Sequence, residues 1–405
     1  MAAPLSKGVC PDGAALDTDE LNRIVPGLDA YLCPAPGHPW CAGAVVLAGR
    51  GRMVALHRAT GWAVRYAAYD EHADRGVELP RERWVPMAPE TVFDLASLTK
   101  LFTAVVAVRQ IEDGALRLDD KVSDWVAVAD PRVTVRHLLT HTSGLRPELP
   151  LYDLPDAAAR AARLAAERPL TAPGTARCYS DLNLLLLQAV LERIADRPLD
   201  RLIAETVTGP LGMADTRFNP PPSWLPRIAA TEDQRKPWAK LDRGMVHGTV
   251  HDENAYAMGG VAGHAGLFST AWDLALFARA LLDGGAPGFL APASVRLLLG
   301  GPDGRERPDG PKSPAGPADP ARPADPAGVR RPLGFEADQS WFMGELAGRG
   351  AVGHTGFTGT SLVLDPATDT FLILLTNSVH PSRTWRDGSA PRAMAATHLA
   401  RAAAG

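Results

Sequence analysis

The chain has 405 residues, enough for one large domain or two closely packed lobes. Hydrophobic residues make up 46% and charged residues 22%, so a sizeable core is within reach. A net charge of −4 with no basic stretch excludes a nucleic-acid footprint or an anionic-membrane patch, and runs such as Leu101–Val108 and Leu184–Leu187 are far too short to span a bilayer.

In chain order, Met1 to Gly13 carry no apolar stretch of leader type, and the expected location is cytoplasmic. Cysteines stand at 10, 33, 41 and 178. Cys33 and Cys41 are spaced to allow a pair, but so few cysteines make no disulfide framework, and free thiols are expected. Ala42–Ala48, Met53–His57 and Trp62–Ala67 are short apolar runs separated by turns such as Gly49-Arg50-Gly51. They predict a strand meander in a stretch that ends near Pro89.

A helix follows. Apolar residues at 98, 101, 102, 105, 108 and 111 keep a helical step, Asp94 is placed to cap it, and Asp113-Gly114 ends it. Further helices are expected over Val135–Leu139, Leu154–Ala166, Leu182–Ile194, Pro198–Thr206 and Ala271–Leu282, with Pro198 in a first turn. Gly300–Arg331 is rich in Pro, Ala, Gly and Asp and reads as an exposed flexible loop, with a lid as the alternative role. Ala351–His354, Thr360–Leu364 and Phe371–Leu375 are expected strands, and Pro391–Ala404 a closing helix of modest amphipathicity. The order strands, helices, strands, helix suits an α+β unit: residues 1–92 and 265–405 form one α/β lobe, and 93–264 form an inserted, mainly helical lobe.

Three short signals carry chemistry. The first is Ser97-Leu98-Thr99-Lys100 at a helix start, with Ser97 and Lys100 one turn apart. A serine hydroxyl is a poor nucleophile without a base. Lysine is a base only if its pKa falls, and desolvation against Leu101 and Phe102 is expected to lower it. The second is Tyr179-Ser180-Asp181 before the helix Leu182–Ile194; a phenol beside an ammonium can exchange protons with the serine oxygen. The third is His354-Thr355-Gly356 at a strand end, followed by Phe357-Thr358-Gly359, where a strand edge and its N–H groups can receive a substrate. Each signal alone also fits an ordinary helix start, an N-cap or a tight turn.

Their order and separation resemble the serine β-lactamase and penicillin-binding-protein superfamily, and most of all its class C β-lactamase-like branch of esterases and transacylases. Phe93–Lys100, Val133–Leu145, Pro210-Leu211-Gly212-Met213, Gly263–Thr270 and Gly353–Gly359 are each similar to stretches of that branch. The resemblance implies a β-lactamase/transpeptidase-like fold, an antiparallel sheet flanked by helices. It implies Ser97 as the acylated nucleophile, Lys100 as its proton partner and Tyr179 as general base or acid. It also implies an oxyanion hole from the backbone N–H groups of Ser97 and Phe357. Asp181, His354, Thr355, Gly356 and Phe357 would line the substrate groove, with no metal and no cofactor. Two departures stand out: Asp181 replaces the usual Asn, and His354 replaces the usual Lys that helps hold a substrate carboxylate. They point away from β-lactams and towards neutral esters.

Other classes fit less well. No Gly-x-Ser-x-Gly turn is present, so an α/β-hydrolase is disfavoured. His247 and His251, and His137 and His141, are each four apart, but neither pair sits in His-Glu-x-x-His, and structural or pocket-lining roles are expected. A non-catalytic sensor is disfavoured by the intact Ser97, Lys100 and Tyr179. The expected function is therefore a serine hydrolase acting on small ester or amide substrates. The alternative is a transacylase that passes the acyl group to an amine or alcohol, with Phe357 and Phe268 as apolar candidates to roof its pocket. A true β-lactamase or D-Ala-D-Ala peptidase ranks lower.

Overall fold

In the computed structural model, which describes residues 5–6, 12–32, 38–300, 331–385 and 387–404, seven strands form one antiparallel sheet. Across the sheet the strands run Glu336–Ala337, Val352–Thr355, Ser361–Asp365, Thr370–Thr376, Gly43–Arg50, Met53–Val64 and Val85–Pro86. The two ends of the chain thus meet in the middle of the sheet, where Val45 stands opposite Leu375.

The central strands are apolar without interruption because both faces are covered. Val45, Leu47, Ile373 and Leu375 face the large core that holds the helix Ala271–Leu282. Ala44, Val46, Leu372 and Leu374 face the other way, onto the helices Ile24–Leu32 and Ala390–Ala402. Period-two alternation is still there, but it sorts residues between two cores rather than between core and water.

The helix Thr99–Glu112 runs through the large core, apolar on every side over most of its length. Phe102 stacks on Phe277 at 4.7 Å between ring centroids, which fixes this helix against Ala271–Leu282 and so against the sheet. The helix Asp181–Ala195 belongs to the same core. No helix among the described residues is long and apolar enough to cross a membrane.

Several details differ from the expectations. Met53–Val64 is a single strand that continues through Gly61, and Tyr66–Asp70 leaves it to form a separate two-stranded sheet with Arg75–Glu78. The helices Thr18–Asn22 and Ile24–Leu32 were not foreseen; their buried contacts reduce to Leu21, Ile24 and Leu28, too few to mark a face. The helix expected over Leu154–Ala166 is shorter, Ala157–Ala165, because Asp156 caps it by accepting from the Ala159 N–H. Pro198 is the residue before the helix Leu199–Ile203, which passes into a wider π-type turn over Ala204–Thr208. The proposed loop over 300–331 lies outside the described residues except at its two ends, as do Cys10 and Cys33. Cys41 is free and buried, and burial pushes its thiol up to about 12; Cys178 is free and half-buried.

Candidate active site

Ser97 lies in a 3₁₀ turn, Ala96–Leu98, that leads directly into the buried helix Thr99–Glu112. Ala96, just before it, has φ of 46°, a left-handed backbone that a residue with a Cβ adopts only under restraint. The restraint comes from Asp94. Its carboxylate accepts from the Ala96 N–H at 2.8 Å and from the His251 N–H at 2.6 Å. Asp94 was expected to cap the helix; instead it holds the turn ahead of it, because its side chain reaches only two residues on.

One turn along the helix, Lys100 is fully buried. Its Nζ donates to Ser97 Oγ at 2.8 Å and to the His264 carbonyl at 3.1 Å, and it pairs with Asp181 Oδ1 at 2.8 Å. Its ammonium is also hydrogen-bonded with Tyr179, whose ring centroid lies 4.9 Å away. Burial works against the charge on Lys100, but the Asp181 carboxylate and Tyr179 outweigh it and hold the ammonium above its ordinary range. The expectation of a lowered lysine is thus overturned. Desolvation acts as foreseen, but a carboxylate stands where the family's pattern has a neutral amide.

Asp181 is the first residue of the helix Asp181–Ala195, with Ser180 at the cap position. Tyr179 precedes it and is half-buried. The phenol ring lies between two imidazoles, 4.7 Å from His141 and 5.8 Å from His354 between centroids. His141 Nδ1 accepts from the Ser180 N–H at 3.1 Å, which anchors the Tyr179 stretch to the Val135–Leu139 region. His354 is only 2% exposed, and its Nδ1 sits 2.8 Å from the Thr355 carbonyl. Its imidazole therefore meets Tyr179 rather than the open groove.

The strand Val352–Thr355 delivers Thr355, Gly356 and Phe357 to the mouth of the site. Gly356 is required by close approach: a Cβ there would come within 2.4 Å of the Leu95 carbonyl and 2.1 Å of Thr360 Oγ1. The two turns are laced together by Thr358 Oγ1 donating to the Asp94 carbonyl at 2.8 Å and Thr360 Oγ1 donating to the Leu95 carbonyl at 3.0 Å. Arg392 on the last helix, itself buried, donates to the Gly356 carbonyl at 2.9 Å. Phe357 is 39% exposed and forms the apolar rim. Phe268, expected beside it, is buried in the core and roofs nothing.

Sequence reasoning gives His264, Asp252 and Arg392 no part in the serine site, and takes His141 for a structural or pocket-lining histidine. His264 Nε2 lies 2.9 Å from Asp252 Oδ1, and this imidazole holds the Asp252 carboxyl far below its usual range despite burial. Donor atoms of Asp181, Asp252 and His264 lie within 4.8 Å of one another, the one such convergence among the described residues. Lys100 already supplies a positive charge to this group. Of the histidines spaced four apart, His247 meets the Ile228 carbonyl, His251 meets Glu232, and His137 takes part in capping its own helix.

The chain was compared with known proteins. A family model described as Beta-lactamase matches residues 28–396. A protein of Escherichia coli (strain K12), provisionally named a D-alanyl-D-alanine carboxypeptidase, is 31% identical over 333 residues, 74% of this chain and 72% of that protein. Among solved structures, EstCE1, described as a hydrolase with promiscuous acyltransferase activity, superposes with a TM-score of 0.64 at 23% identity, over 94% of this chain and 99% of that one. A class C β-lactamase superposes with a TM-score of 0.66 at 17% identity, over 94% of this chain and 98% of that one.

Proposed function

The chain belongs to the β-lactamase family, and from that premise we propose that it is a serine acyl-enzyme hydrolase of neutral esters. The observation that supports this most is the 2.8 Å contact from Lys100 Nζ to the half-buried Ser97 Oγ, with Tyr179 on the same ammonium. A protonated Lys100 cannot take the Ser97 proton. It holds the developing alkoxide, and Tyr179, acting as a phenolate beside that ammonium, accepts the proton as Ser97 Oγ bonds to the ester carbonyl carbon. The carbonyl oxygen becomes an oxyanion between the backbone N–H groups of Ser97 and Phe357. Tyr179 then returns the proton to the departing alkoxide. Water repeats the sequence on the acyl-Ser97 and releases the acid.

Neutral substrates are favoured because an imidazole, buried against Tyr179, stands where Lys-Thr-Gly enzymes place an ammonium. A second reading, transfer of the acyl group to an amine or alcohol, is favoured by the exposed Phe357 at the rim and by the acyltransferase activity in the description of EstCE1. A bound acceptor gains from proximity and excludes water.

The test is turnover of an ester panel by Ser97→Ala, Lys100→Ala and Tyr179→Phe. Ser97→Ala should lose ~10⁴-fold or more in kcat. The other two should each lose ~10²-fold or more, with a combined loss far short of additive because both serve the single deprotonation of Ser97. Retained activity in Ser97→Ala would sink the proposal.

A further inference from the structure

We propose that Asp94, with the buried His251–Glu232–Arg383 group behind it, is a positioning device that sets both backbone N–H donors of the oxyanion hole. This rests on the reading of Ser97 as nucleophile given above. The two donors belong to separate parts of the chain, at 97 and 357, and no backbone hydrogen bond of a sheet joins their turns. Asp94 does. Its carboxylate fixes the Ala96 N–H and therefore the strained residue before Ser97. Its main-chain carbonyl accepts from Thr358, the residue after Phe357.

The second carboxylate oxygen of Asp94 holds the His251 N–H, and His251 continues the device. The His251 ring stacks on Phe357 at 5.5 Å between centroids, and the Arg383 guanidinium lies 5.6 Å from the same ring on account of its own anchors. Those anchors are buried. His251 Nε2 meets Glu232 at 2.7 Å, and Arg383 pairs with Glu232 at 2.7 Å and with Glu253. Glu232 is fully buried, and His251 and Arg383 pull its carboxyl down to about 2 against the effect of burial. So the ring of Phe357, though more than a third exposed, is held by a network that cannot shift without leaving a buried charge unpaired. Fixing the ring fixes the N–H of the same residue. Displacing a reacting group or its donor by a fraction of its own size is costly, ~10²-fold for a shift of about 1 Å.

The experiment compares full-length wild type, Asp94→Asn, Glu232→Gln, Phe357→Ala and Phe357→Tyr. Fluorophosphonate labelling of Ser97 comes first. Steady-state kinetics on a p-nitrophenyl ester follow, with inhibition by an arylboronic acid, whose tetrahedral adduct places an oxygen in the hole. For Asp94→Asn and Glu232→Gln the expectation is a ~10- to 100-fold fall in kcat per folded molecule with KM within about threefold, and a parallel loss of boronate affinity. Phe357→Ala, at an exposed position and so independent of core folding, should reproduce the loss. Phe357→Tyr keeps the ring and should restore activity to within about threefold of wild type. Wild type that labels at Ser97 while Phe357→Ala keeps full kcat and boronate affinity overturns the device alone. Wild type that neither labels nor turns over any ester overturns the Ser97 reading and the device with it.

Discussion

Lys100 is where local chemistry and burial compete most directly. A buried ammonium should lose its proton, yet Asp181 stands 2.8 Å away and reverses the outcome. The sign follows. A lysine raised above its ordinary value of 10.5 contributes stability in full below that pH and loses it as pH rises through the higher folded value. In the proposed reaction the same proton holds the Ser97 alkoxide. Asp181→Asn removes the carboxylate and should move the alkaline limb of the kcat/KM profile to lower pH, by about one unit or more. An unmoved limb would mean that Asp181 does not set the charge of Lys100. At this scale the sequence was informative about identity and poor about environment. Spacing and resemblance single out Ser97, Lys100, Tyr179 and Asp181, and the structure brings the four together. The sign of the lysine shift could not, because it depends on a contact between residues 81 positions apart, 181 minus 100. His264 and Asp252 were hidden for the same reason.

Elements carry the site by approaching one another more closely than side chains allow. The strand end at Gly356 lies against the turn that bears Ser97, and Arg392 and Thr360 hold it there. Gly356→Ala puts a methyl group into the Leu95 carbonyl and Thr360 Oγ1 and should separate the two turns. A kcat loss of ~10-fold or more is expected, larger than the change in KM. Stopped-flow acylation measures it, and an acylation rate equal to wild type would show that the approach is not needed. Arg392 also explains why the last helix looked barely amphipathic. Its core-facing positions are Arg392, Ala395, Ala396, Leu399 and Ala400, and the arginine is buried because two carbonyls receive it. The helix Thr99–Glu112 shows the opposite limit. Its period marked a helix correctly, but Ala104, Val106 and Ala107 are buried as well, so it has no solvent face to read. The separation expected between Met53–His57 and Trp62–Ala67 failed because Gly61, with φ of 75°, continues the strand rather than ending it.

For the whole molecule, strands from before residue 90 and after residue 330 close the sheet, while the stretch between them supplies Lys100 and Tyr179. His380 marks one join between distant segments. Its Nε2 accepts from the Arg65 and Tyr66 N–H groups, and its Nδ1 meets the Thr231 carbonyl at 3.1 Å. Burial lowers its pKa to about 3, from an ordinary value of 6.5. The unfolded chain therefore binds the extra proton first, and stability should fall as pH drops from 6.5 to about 3. Melting temperatures across that range should show the fall, and His380→Gln should flatten it; a slope unchanged in the variant would remove His380 as its source. The gross order of strands and helices was legible because it follows from apolar periodicity. Such joins were not, since nothing local announces them.

The central claim is that Ser97 carries the acyl group, and rapid-quench intact-mass analysis tests it most directly. The protein is mixed with a series of activated esters, quenched within milliseconds to seconds, and digested to locate any added mass. One acyl mass per chain on the peptide that contains Ser97, decaying as the acid or an acceptor ester appears and absent in Ser97→Ala, is the predicted result. Turnover of the same esters with no acyl mass at Ser97, or with an equal adduct in Ser97→Ala, would contradict it.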